Sequence, residues 1–328
     1  MRVALVNRRF TEHGGTERFM VGLARFLKGR GHEVHVHSSE VDPGLRDPGL
    51  HFHPLPLLRP AKNLGQWWRS ASIDGDVVMA LGRCRGHDVA RAGGGAHAAW
   101  QRVCRPSWPI EPGQWVERAV DRHTLRSARF VITPSEAAAQ DIVDSYAVPR
   151  GRIRVVPNGV DCERFQPGPG GEGLLFVGTG FVRKGLAEAI AVAEALSLPL
   201  TVLGGDGRLA RWKARHPSVR FEGVVPDPER WMGRFDALLL PTLYEPYGNV
   251  CLEAMACGTP ALTTPVNGVT EVLPGDFVAQ GGSALIAATE GALSGGTSLR
   301  ERCRQLAVAQ PPSRAYQAVE QILQESAR

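Results

Sequence analysis

Residues 245–260 read EPYGNVCLEAMACGTP, and this stretch combines a loop, a helix start and the entry to a strand. Pro246 and Gly248 are turn formers, so the first part predicts a loop. The residues that follow predict a short helix over 249–257, with Asn249 as its N-cap and Gly258 as its C-terminal stop. A loop, a helix and a strand in this order are typical of an α/β domain with a parallel sheet.

Two carboxylates frame the first part of this stretch. Glu245 lies on the predicted loop, and Glu253 lies one turn inside the predicted helix. A loop carboxylate suits the recognition of hydroxyl groups, and a helix carboxylate suits a vicinal diol. The first backbone N–H groups of a helix have no intrahelical partner and can bind an anion. Here they belong to Gly248, Asn249 and Val250, so the segment predicts a site for a sugar joined through phosphate to a ribonucleotide.

Short apolar runs alternate with helical patterns along the chain. The predicted strands are Val3–Asn7, Val34–His37, Val77–Ala80, Phe130–Thr133, Ile153–Val156, Leu174–Gly178, Leu200–Leu203, Val219–Gly223, Ala237–Leu240 and Pro260–Thr263. Alternation of this kind predicts parallel sheets with crossover helices, and it occurs twice. Residues 166–171 are rich in Pro and Gly and separate the two series. We therefore predict an α/β protein of two Rossmann-like, doubly wound domains, hinged near 158–172.

The composition fits this fold and argues against other classes. The chain has 328 residues, of which 43% are hydrophobic and 22% are charged, enough for two domains of ordinary size. Its apolar runs are short, so no transmembrane span is predicted, and residues 1–7 predict a strand rather than a signal peptide. The six cysteines include no Cys-x-x-Cys pair, which favours free thiols in a reducing compartment over disulfides or a zinc site.

Glycine-rich turns follow predicted strands in the first half of the chain. Gly14 and Gly15 come after the first strand, where the missing Cβ lets the backbone approach a phosphate or a sugar. Residues 93–95 are all glycine and precede His97, which places an imidazole on a glycine-rich loop. Both turns are candidates for ligand contact.

A pair of cations follows the strand that ends at Gly178. Arg183 and Lys184 stand directly before a predicted helix. Two cations at a helix N-terminus can bind a diphosphate and stabilise the negative charge that develops when it departs as a leaving group. The pair therefore predicts a diphosphate site.

Taken together, these motifs resemble the retaining glycosyltransferases of family GT4. The resemblance runs in family order from residue 1 to about 275 and rests on Gly14-Gly15, Arg91–His97, Val131–Glu136, Val155–Asp161, Phe176–Gly178, Arg183–Gly185 and the Glu-x7-Glu segment Glu245–Glu253. It implies the GT-B fold, in which two Rossmann-like domains face an inter-domain cleft. Residues 1–160 would form the acceptor side and 161–312 the nucleotide-sugar side, and a last helix over 313–328 would return to the first domain.

The resemblance also implies roles for single residues. Arg183 and Lys184 would neutralise the diphosphate, and His97 would hydrogen-bond the donor hexose near its hydroxymethyl group. Glu245 would bind sugar hydroxyls and Glu253 the ribose hydroxyls. Further donor contacts are expected from Gly14, Gly15, Gly178, Gly248, Asn249 and Val250. The paired cations would replace a metal, so neither a metal nor another cofactor is expected. Retention of configuration is implied too, and front-face attack is favoured because no carboxylate can be named for the back face.

Among GT4 enzymes, the Arg91–His97 run looks closest to the glucosyltransferases of the lipopolysaccharide core. The expected reaction moves glucose from UDP-glucose to a lipopolysaccharide-core or other glycolipid or glycan acceptor. A mannosyl- or galactosyltransferase with another acceptor stays open. An NAD-dependent oxidoreductase also stays open, although Gly178-Thr179-Gly180 lacks a third glycine at the dinucleotide-binding spacing. The Arg-Lys and Glu-x7-Glu set argues against a purely lipid- or nucleic-acid-binding protein.

Charge is distributed unevenly along the chain. Residues 1–165 hold 24 Lys and Arg against 17 Asp and Glu, whereas 166–328 hold 14 against 16. Trp and Arg are interleaved in 45–70 and 98–128, a pattern that suits a membrane interface, with packing of the Trp side chains in the core as an equal alternative. We expect a cytoplasmic protein with peripheral contact to the anionic inner face of the cell membrane, and no nucleic-acid partner.

Two patterns that could bind metal are interpreted as structural. Asp74 and Asp76 form an Asp-x-Asp that precedes the strand from Val77 and predicts a turn. His35 and His37, like His51 and His53, place two imidazoles on one face of a strand, but the sequence shows no third ligand. No metal site is therefore predicted.

Overall fold

The computed structural model describes residues 1–55, 73–104 and 112–327. The chain divides into two compact units, Met1–Pro157 together with Ser313–Arg328, and Asn158–Pro312. Part of the predicted membrane surface lies outside the described residues, namely Trp67, Trp68, Arg105 and Trp108.

The first unit is built on a parallel sheet. Its described strands are β1 (Arg2–Val6), β2 (Arg9–Phe10), β3 (Glu33–Ser38), β4 (Glu40–Val41), β5 (Leu50–Pro54), β6 (Val77–Ala80), β7 (Val89–Arg91), β8 (Phe130–Thr133) and β9 (Ile153–Val155). Seven form one sheet in the order β5–β3–β1–β6–β7–β8–β9, and β2 pairs with β4. All neighbours in the sheet are parallel. Residues 3–6 of β1 are completely buried, as expected of a central strand covered on both faces.

Helices of the first unit follow its strands. They are α1 (Gly15–Gly29), α2 (His97–Cys104), α3 (Pro112–Ser127) and α4 (Glu136–Tyr146). α1 has an apolar stripe that includes Phe19, Leu23 and Leu27, and this stripe is buried in the core of the unit. The helix begins at the carboxyl end of the strands, which places its N-terminus beside the loops that follow β1 and β7.

The second unit repeats the plan with fewer strands. Its strands are β10 (Leu174–Val177), β11 (Leu200–Leu203), β12 (Arg220–Gly223), β13 (Ala237–Leu240) and β14 (Ala261–Thr263), in the order β12–β11–β10–β13–β14. Its helices are α5 (Leu186–Ala195), α6 (Leu209–Arg215), α7 (Glu229–Met232), α8 (Asn249–Ala256), α9 (Gly282–Ser294) and α10 (Gly296–Val308). The central β10 and β13 are apolar throughout, and their carboxyl ends lead directly into the Arg183 and Glu245 loops.

The last helix, α11 (Pro312–Ser326), packs into the core of the first unit. Val319, Ile322 and Leu323 are buried there. The Tyr316 ring lies edge-on to Phe19, with 5.4 Å between ring centroids. Apolar side chains at this helical spacing form the contact face, so the amphipathic pattern of the sequence accounts for the docking.

The structure differs from the sequence predictions at several elements. β5 and β7 were missed, because β5 alternates His with apolar residues and β7 has only three residues. Residues 97–127, which had been given no element, contain α2 and α3. The prediction of Asn249 as N-cap of α8 was wrong, because Gly248 holds that position in a left-handed conformation.

Two predictions about membranes and thiols can be compared with the described residues. No helix among them is long and apolar enough to cross a membrane. All six cysteines are free thiols, and four of them are buried, namely Cys84, Cys251, Cys257 and Cys303. Their burial agrees with the interpretation of these residues as core thiols.

Candidate active site

The turn between β10 and α5 presents two cations at a helix start. Arg183 and Lys184 precede Gly185, which is the N-cap of α5. Gly185 has a φ of +77°. A Cβ at Gly185 would collide with the carbonyl oxygen of Pro241, so only glycine fits. The backbone N–H of Lys184 donates to the carbonyl of Gly180 at 3.2 Å and tightens the turn. The two charges are thereby fixed beside the helix N-terminus, where an anion is stabilised.

Both cations converge on one carboxylate oxygen. Arg183 Nη1 lies 2.9 Å and Lys184 Nζ 2.8 Å from Glu245 Oε2. Only 11% of the Lys184 side chain and 14% of the Glu245 side chain are exposed. Burial alone would raise the pKa of Glu245, but the charges and hydrogen bonds of Lys184 and Arg183 outweigh it, so the pKa lies below its ordinary value. Glu245 is therefore a partly buried carboxylate between two cations, and both cations favour its ionised form.

Hydrogen bonds to backbone carbonyls join the cation turn to the loop that carries Glu245. Arg183 Nη1 donates to the carbonyl of Tyr244 at 2.8 Å. The carbonyl of Arg183 accepts from the backbone N–H of Leu243 at 2.8 Å and from Thr242 Oγ1 at 3.0 Å. The two segments lie about sixty residues apart in sequence yet are joined directly by these hydrogen bonds. The sequence pointed to both segments but not to their direct contact.

The start of α8 is held by side chains that the sequence did not single out. Gly248 has a φ of +63°, and a Cβ there would collide with the side chain of Asn267. Asn158 Nδ2 donates to Asn249 Oδ1 at 2.8 Å, and the Tyr247 hydroxyl donates to the carbonyl of Asn158 at 2.8 Å. These contacts orient the first turn of α8, whose N–H groups were predicted to bind an anion. The only sequence signal for Asn158 is its place in the Val155–Asp161 motif.

Glu253 lies inside α8 and is buried, as is Val250 one turn before it. The second unit thus contains Gly178, Arg183, Lys184, Glu245, Gly248, Asn249, Val250 and Glu253, all predicted as site residues.

The other predicted site residues, Gly14, Gly15 and His97, lie in the first unit. There a pocket of about 390 Å³ is lined by residues that follow β1 and β7 and by α2 and α3. Gly93, Gly94, Gly95 and His97 line it. Gly14 and Gly15 begin α1 but do not line it, whereas Glu17 of the first turn does. The glycine run lets the backbone form one wall without side chains.

His97 is the first residue of α2, and its Nε2 is buried without a hydrogen-bond partner among the described residues. The nearest carboxylate, that of Glu117, is 3.8 Å from it. Burial holds the pKa of His97 below its ordinary value, although Asp121 and Glu117 oppose this effect. The Trp100 ring stacks on the imidazole, with 5.2 Å between centroids. The imidazole Nε2 therefore lacks a partner among the described residues, and a ligand hydroxyl is a suitable one.

Two arginines of this pocket were not predicted as site residues. Arg83 Nε donates to Asp121 Oδ1 at 2.7 Å, and Asp121 also accepts from the Tyr146 hydroxyl at 3.3 Å. Arg91 is buried against the Phe19 ring, with 3.7 Å from its guanidinium carbon to the centroid, and burial lowers its pKa to about 10. The pocket lining thus includes one arginine paired with a carboxylate and one buried against an aromatic ring. Arg91 belongs to the motif quoted from the sequence, but nothing in its spacing showed its burial.

The Asp-x-Asp has a structural role among the described residues. Asp76 Oδ2 accepts from the backbone N–H of Arg2 at 2.7 Å, and Asp74 pairs with the Arg2 guanidinium. Asp88, the carboxylate nearest the glycine run in sequence, accepts from the backbone N–H of Val78 at 2.9 Å and joins β6 to the start of β7. Asp76 and Asp88 thus bind the backbone of neighbouring strands, and Asp74 forms a surface ion pair.

Two family models match the chain. The model of Glycosyltransferase Family 4 matches residues 13–164, and that of Glycosyl transferases group 1 matches residues 171–294. The first match lies almost entirely in the first unit and the second match lies in the second unit.

Characterised relatives are similar over part of their length. Glycogen synthase of Mycobacterium tuberculosis is 31% identical over 251 residues, which are 71% of this chain and 56% of that protein. D-inositol 3-phosphate glycosyltransferase of Pseudarthrobacter chlorophenolicus is 29% identical over 198 residues, which are 50% of this chain and 47% of that protein. The chain spans about half the length of these relatives.

Solved structures are similar over nearly the whole chain. WaaG, a glycosyltransferase involved in lipopolysaccharide biosynthesis, has a TM-score of 0.79 at 20% identity, covering 98% of this chain and 99% of that chain. Sucrose-phosphate synthase of Thermosynechococcus elongatus has a TM-score of 0.80 at 17% identity, covering 99% and 98%. Anabaena HepE in complex with UDP-glucose has a TM-score of 0.75 at 14% identity, covering 99% and 100%. These likenesses show that the fold is GT-B.

Proposed function

This chain belongs to the family GT4 glycosyltransferases, and we propose that it transfers a hexose from a nucleotide diphosphate sugar to a glycan or glycolipid acceptor, with retention of configuration. The observation that carries the proposal is the convergence of Arg183 and Lys184 on Glu245 at the start of α5. Two fixed cations beside a helix N-terminus match the charge of a diphosphate. The Glu245 carboxylate lies beside both cations and can accept hydrogen bonds from the hydroxyl groups of the sugar that is attached to the diphosphate.

Donor binding would redistribute these charges. Arg183 and Lys184 would pair with the diphosphate oxygens in place of Glu245. The planar guanidinium of Arg183 can bind two oxygens at once, whereas the ammonium of Lys184 acts as a point charge. Glu245 would then accept hydrogen bonds from sugar hydroxyls. In the transition state the bond from C1 to the diphosphate lengthens and negative charge grows on the leaving oxygen. Cations that are already in place stabilise this charge without reorganisation, and no metal is required.

Retention would follow from attack on the face that the diphosphate leaves. The acceptor oxygen bonds to C1, the bond from C1 to the diphosphate oxygen breaks, and the acceptor proton passes to that departing oxygen. No protein nucleophile takes part in this scheme. We assign no such role to Asp88, whose carboxylate accepts a hydrogen bond from the backbone N–H of Val78.

The remaining predicted residues would orient the donor. Glu253 would bind the ribose diol, and the first N–H groups of α8 at Gly248, Asn249 and Val250 would face the anion. In the first unit His97 would bind a sugar hydroxyl through its free Nε2. Gly14, Gly15 and Gly178 would let the backbone approach the ligand.

UDP-glucose is the donor we propose, and a lipopolysaccharide-core or related glycolipid is the acceptor. The Arg91–His97 run resembles that of the lipopolysaccharide-core glucosyltransferases, and this resemblance supports the choice. The likeness of the fold to HepE, solved with UDP-glucose, and to WaaG supports it too. A mannosyl- or galactosyltransferase is the alternative, since the curated relatives act on other acceptors by their names. The family matches set aside the oxidoreductase interpretation.

A cytoplasmic location with peripheral membrane contact completes the proposal. α3 presents Trp115, which is 59% exposed, and Val116 beside Arg118 and Arg122. These four residues, named here the α3 surface, combine an indole, an aliphatic side chain and two cations. This combination suits the headgroup region of an anionic bilayer, where a lipid-anchored acceptor would be found.

A donor panel tests the proposed reaction. Purified chain is incubated with UDP-glucose, UDP-galactose, GDP-mannose or NAD, and release of the nucleotide is followed with and without a glycolipid acceptor extract. We expect UDP release from UDP-glucose to be fastest and to be stimulated by the acceptor. GDP release from GDP-mannose as the fastest reaction would move the proposal to a mannosyltransferase. The absence of nucleotide release from every sugar donor, with or without the extract, would refute it.

A further inference from the structure

Four histidines and a glutamate share one face of the sheet in the first unit. In the parallel pair β3 and β5, His35 lies opposite His51, and His37 lies opposite His53. Side chains two residues apart on a strand point to the same face, so Glu33 joins them. The opposite face of β3 is apolar and buried through Val34 and Val36. The imidazoles therefore form a separate polar cluster, which we name the histidine face.

The histidine face brings three potential metal ligands together. The ligand atoms of Glu33, His35 and His51 all lie within 4.8 Å of one another. Glu33 Oε1 is 2.9 Å from His35 Nε2. The rings of His35 and His51 are stacked, with 4.8 Å between centroids. Two imidazoles and one carboxylate at this separation form the donor set that the sequence alone did not complete.

A fourth residue supports the ligand arrangement. His35 Nδ1 lies 2.8 Å from His53 Nε2, at hydrogen-bond distance. A metal-binding histidine commonly has its second ring nitrogen hydrogen-bonded, which fixes the ring orientation and the tautomer. His35 has this arrangement, with Nε2 towards Glu33 and Nδ1 towards His53. The hydrogen bond leaves His35 Nε2 as the atom available to a metal.

We propose that Glu33, His35 and His51 bind one zinc ion on the histidine face, with His53 positioning His35. Imidazole and carboxylate are ligands that zinc accepts, at about 2.0–2.2 Å. Side-chain rotation closes the remaining distance, since Glu33 is 55% exposed and His51 is also exposed. Water completes a fourth position. None of these residues lines the pocket that contains His97, so the site is separate from the proposed donor site.

Zinc in this position would stabilise the pairing of the edge strand β5 with β3. Among the described strands, β5 stands at the edge of the sheet and pairs with β3 alone. Ligands from both strands would link them through the metal, and an ion that binds the folded state stabilises it. The metal would therefore act on the stability of the first unit and not on sugar transfer.

Calorimetric titration of ZnCl₂ into the full chain, after treatment with EDTA and its removal, tests the site. We expect one ion per chain. The variants Glu33→Gln, His35→Ala and His51→Ala should each weaken the affinity by at least ~100-fold, and His53→Ala by about 10–100-fold, the range for a residue that orients a ligand. His37→Ala, on the same face but not a ligand, and His216→Ala, in the second unit, are the controls and should change the affinity by less than about threefold.

Cobalt gives an independent readout. Co²⁺ bound in place of zinc should produce visible absorption bands of a low-coordinate nitrogen and oxygen site, and His35→Ala should abolish them. Circular dichroism confirms that each variant is folded. Equal loss of zinc affinity in His37→Ala and His35→Ala would overturn the ligand assignment. Wild-type zinc affinity in all three ligand variants would overturn the site itself, leaving the histidine face as packing alone.

Discussion

At the scale of single residues, Glu245 connects the stability of the second unit to its proposed chemistry. Its carboxylate neutralises Arg183 and Lys184, which would otherwise be two like charges held close together. The residue types of this cluster could be predicted from the sequence, because Arg-Lys before a helix and Glu in a loop are local patterns. Their ion pairs could not, because they depend on how β10 and β13 place two distant loops.

Removal of one cation should slow the reaction strongly. Lys184→Ala deletes a charge that would stabilise the departing diphosphate, and such a loss costs about 3 kcal/mol in the transition state, or at least ~100-fold in turnover. Steady-state kinetics with UDP-glucose measure it. Lys213→Ala, which removes an exposed charge on α6, is the matched control and should stay near wild type. Equal turnover of both variants would show that Lys184 does not contact the diphosphate.

Substitutions of Glu253 and Glu245 should have different effects on UDP affinity and on turnover. If Glu253 binds both ribose hydroxyls, Glu253→Gln should weaken UDP by roughly 1.5–3 kcal/mol, the range for hydrogen bonds to a charged group. Glu245→Gln should lower turnover with less effect on UDP, because its proposed partner is the sugar. Calorimetric titration with UDP measures the affinity of both variants for UDP. Unchanged UDP affinity in Glu253→Gln would contradict the assignment of the ribose site.

The depressed pKa of Glu245 has a consequence for acid stability. Between its folded and unfolded pKa values the unfolded chain binds more protons, so the free energy of unfolding rises with pH in that interval. The contribution is present above the unfolded value of about 4.5 and is lost as the pH falls through the folded value. Urea unfolding between about pH 6 and 3 should show a shallower acid slope for Glu245→Gln than for wild type. Parallel curves would show that the ion pairs do not stabilise the fold.

At the scale of elements, α8 depends on a single glycine. Gly248 sits at φ +63° with Asn267 packed against it. Gly248→Ala should destabilise the chain by about 1–3 kcal/mol through backbone strain and the collision. Gly291→Ala, inside α9 with open space around it, is the control and should be neutral or stabilising by up to about 1 kcal/mol. Melting temperatures measure both, and equal stabilities would contradict the strained conformation.

Elements were predictable where their own residues decide them. β1, β10 and β13 are continuous apolar runs, and α1 and α11 have clear apolar stripes. β5 was missed because its alternating histidines owe their position to pairing with β3. β7 was missed because a strand of three residues that ends in Arg91 has too little pattern. Gly248 replaced Asn249 as N-cap since tertiary contacts with Asn267 and Asn158 fix that turn.

At the scale of the whole molecule, the α3 surface should attract the protein to anionic membranes. Each cation near such a surface contributes about 1 kcal/mol, and salt screens it within a Debye length of about 10 Å at 0.1 M. Sedimentation with phosphatidylglycerol vesicles should show binding at low salt and release at high salt. Replacing Trp115, Arg118 and Arg122 by alanine should remove most of the binding, whereas replacing Arg211, Lys213 and Arg215 on α6 should not. Equal binding by both variants would place the membrane contact elsewhere.

Arg183 and Lys184 would form a diphosphate site that needs no metal. Calorimetric titration of UDP into the full chain in the presence of EDTA tests it most directly. We predict one UDP per chain, with the same affinity in EDTA as in Mn²⁺, and an affinity at least ~10-fold weaker for Lys184→Ala. EDTA would also remove zinc from the histidine face. We expect this removal to lower the melting temperature and to leave the affinity for UDP unchanged. UDP binding that vanishes in EDTA and returns with Mn²⁺ would contradict the account.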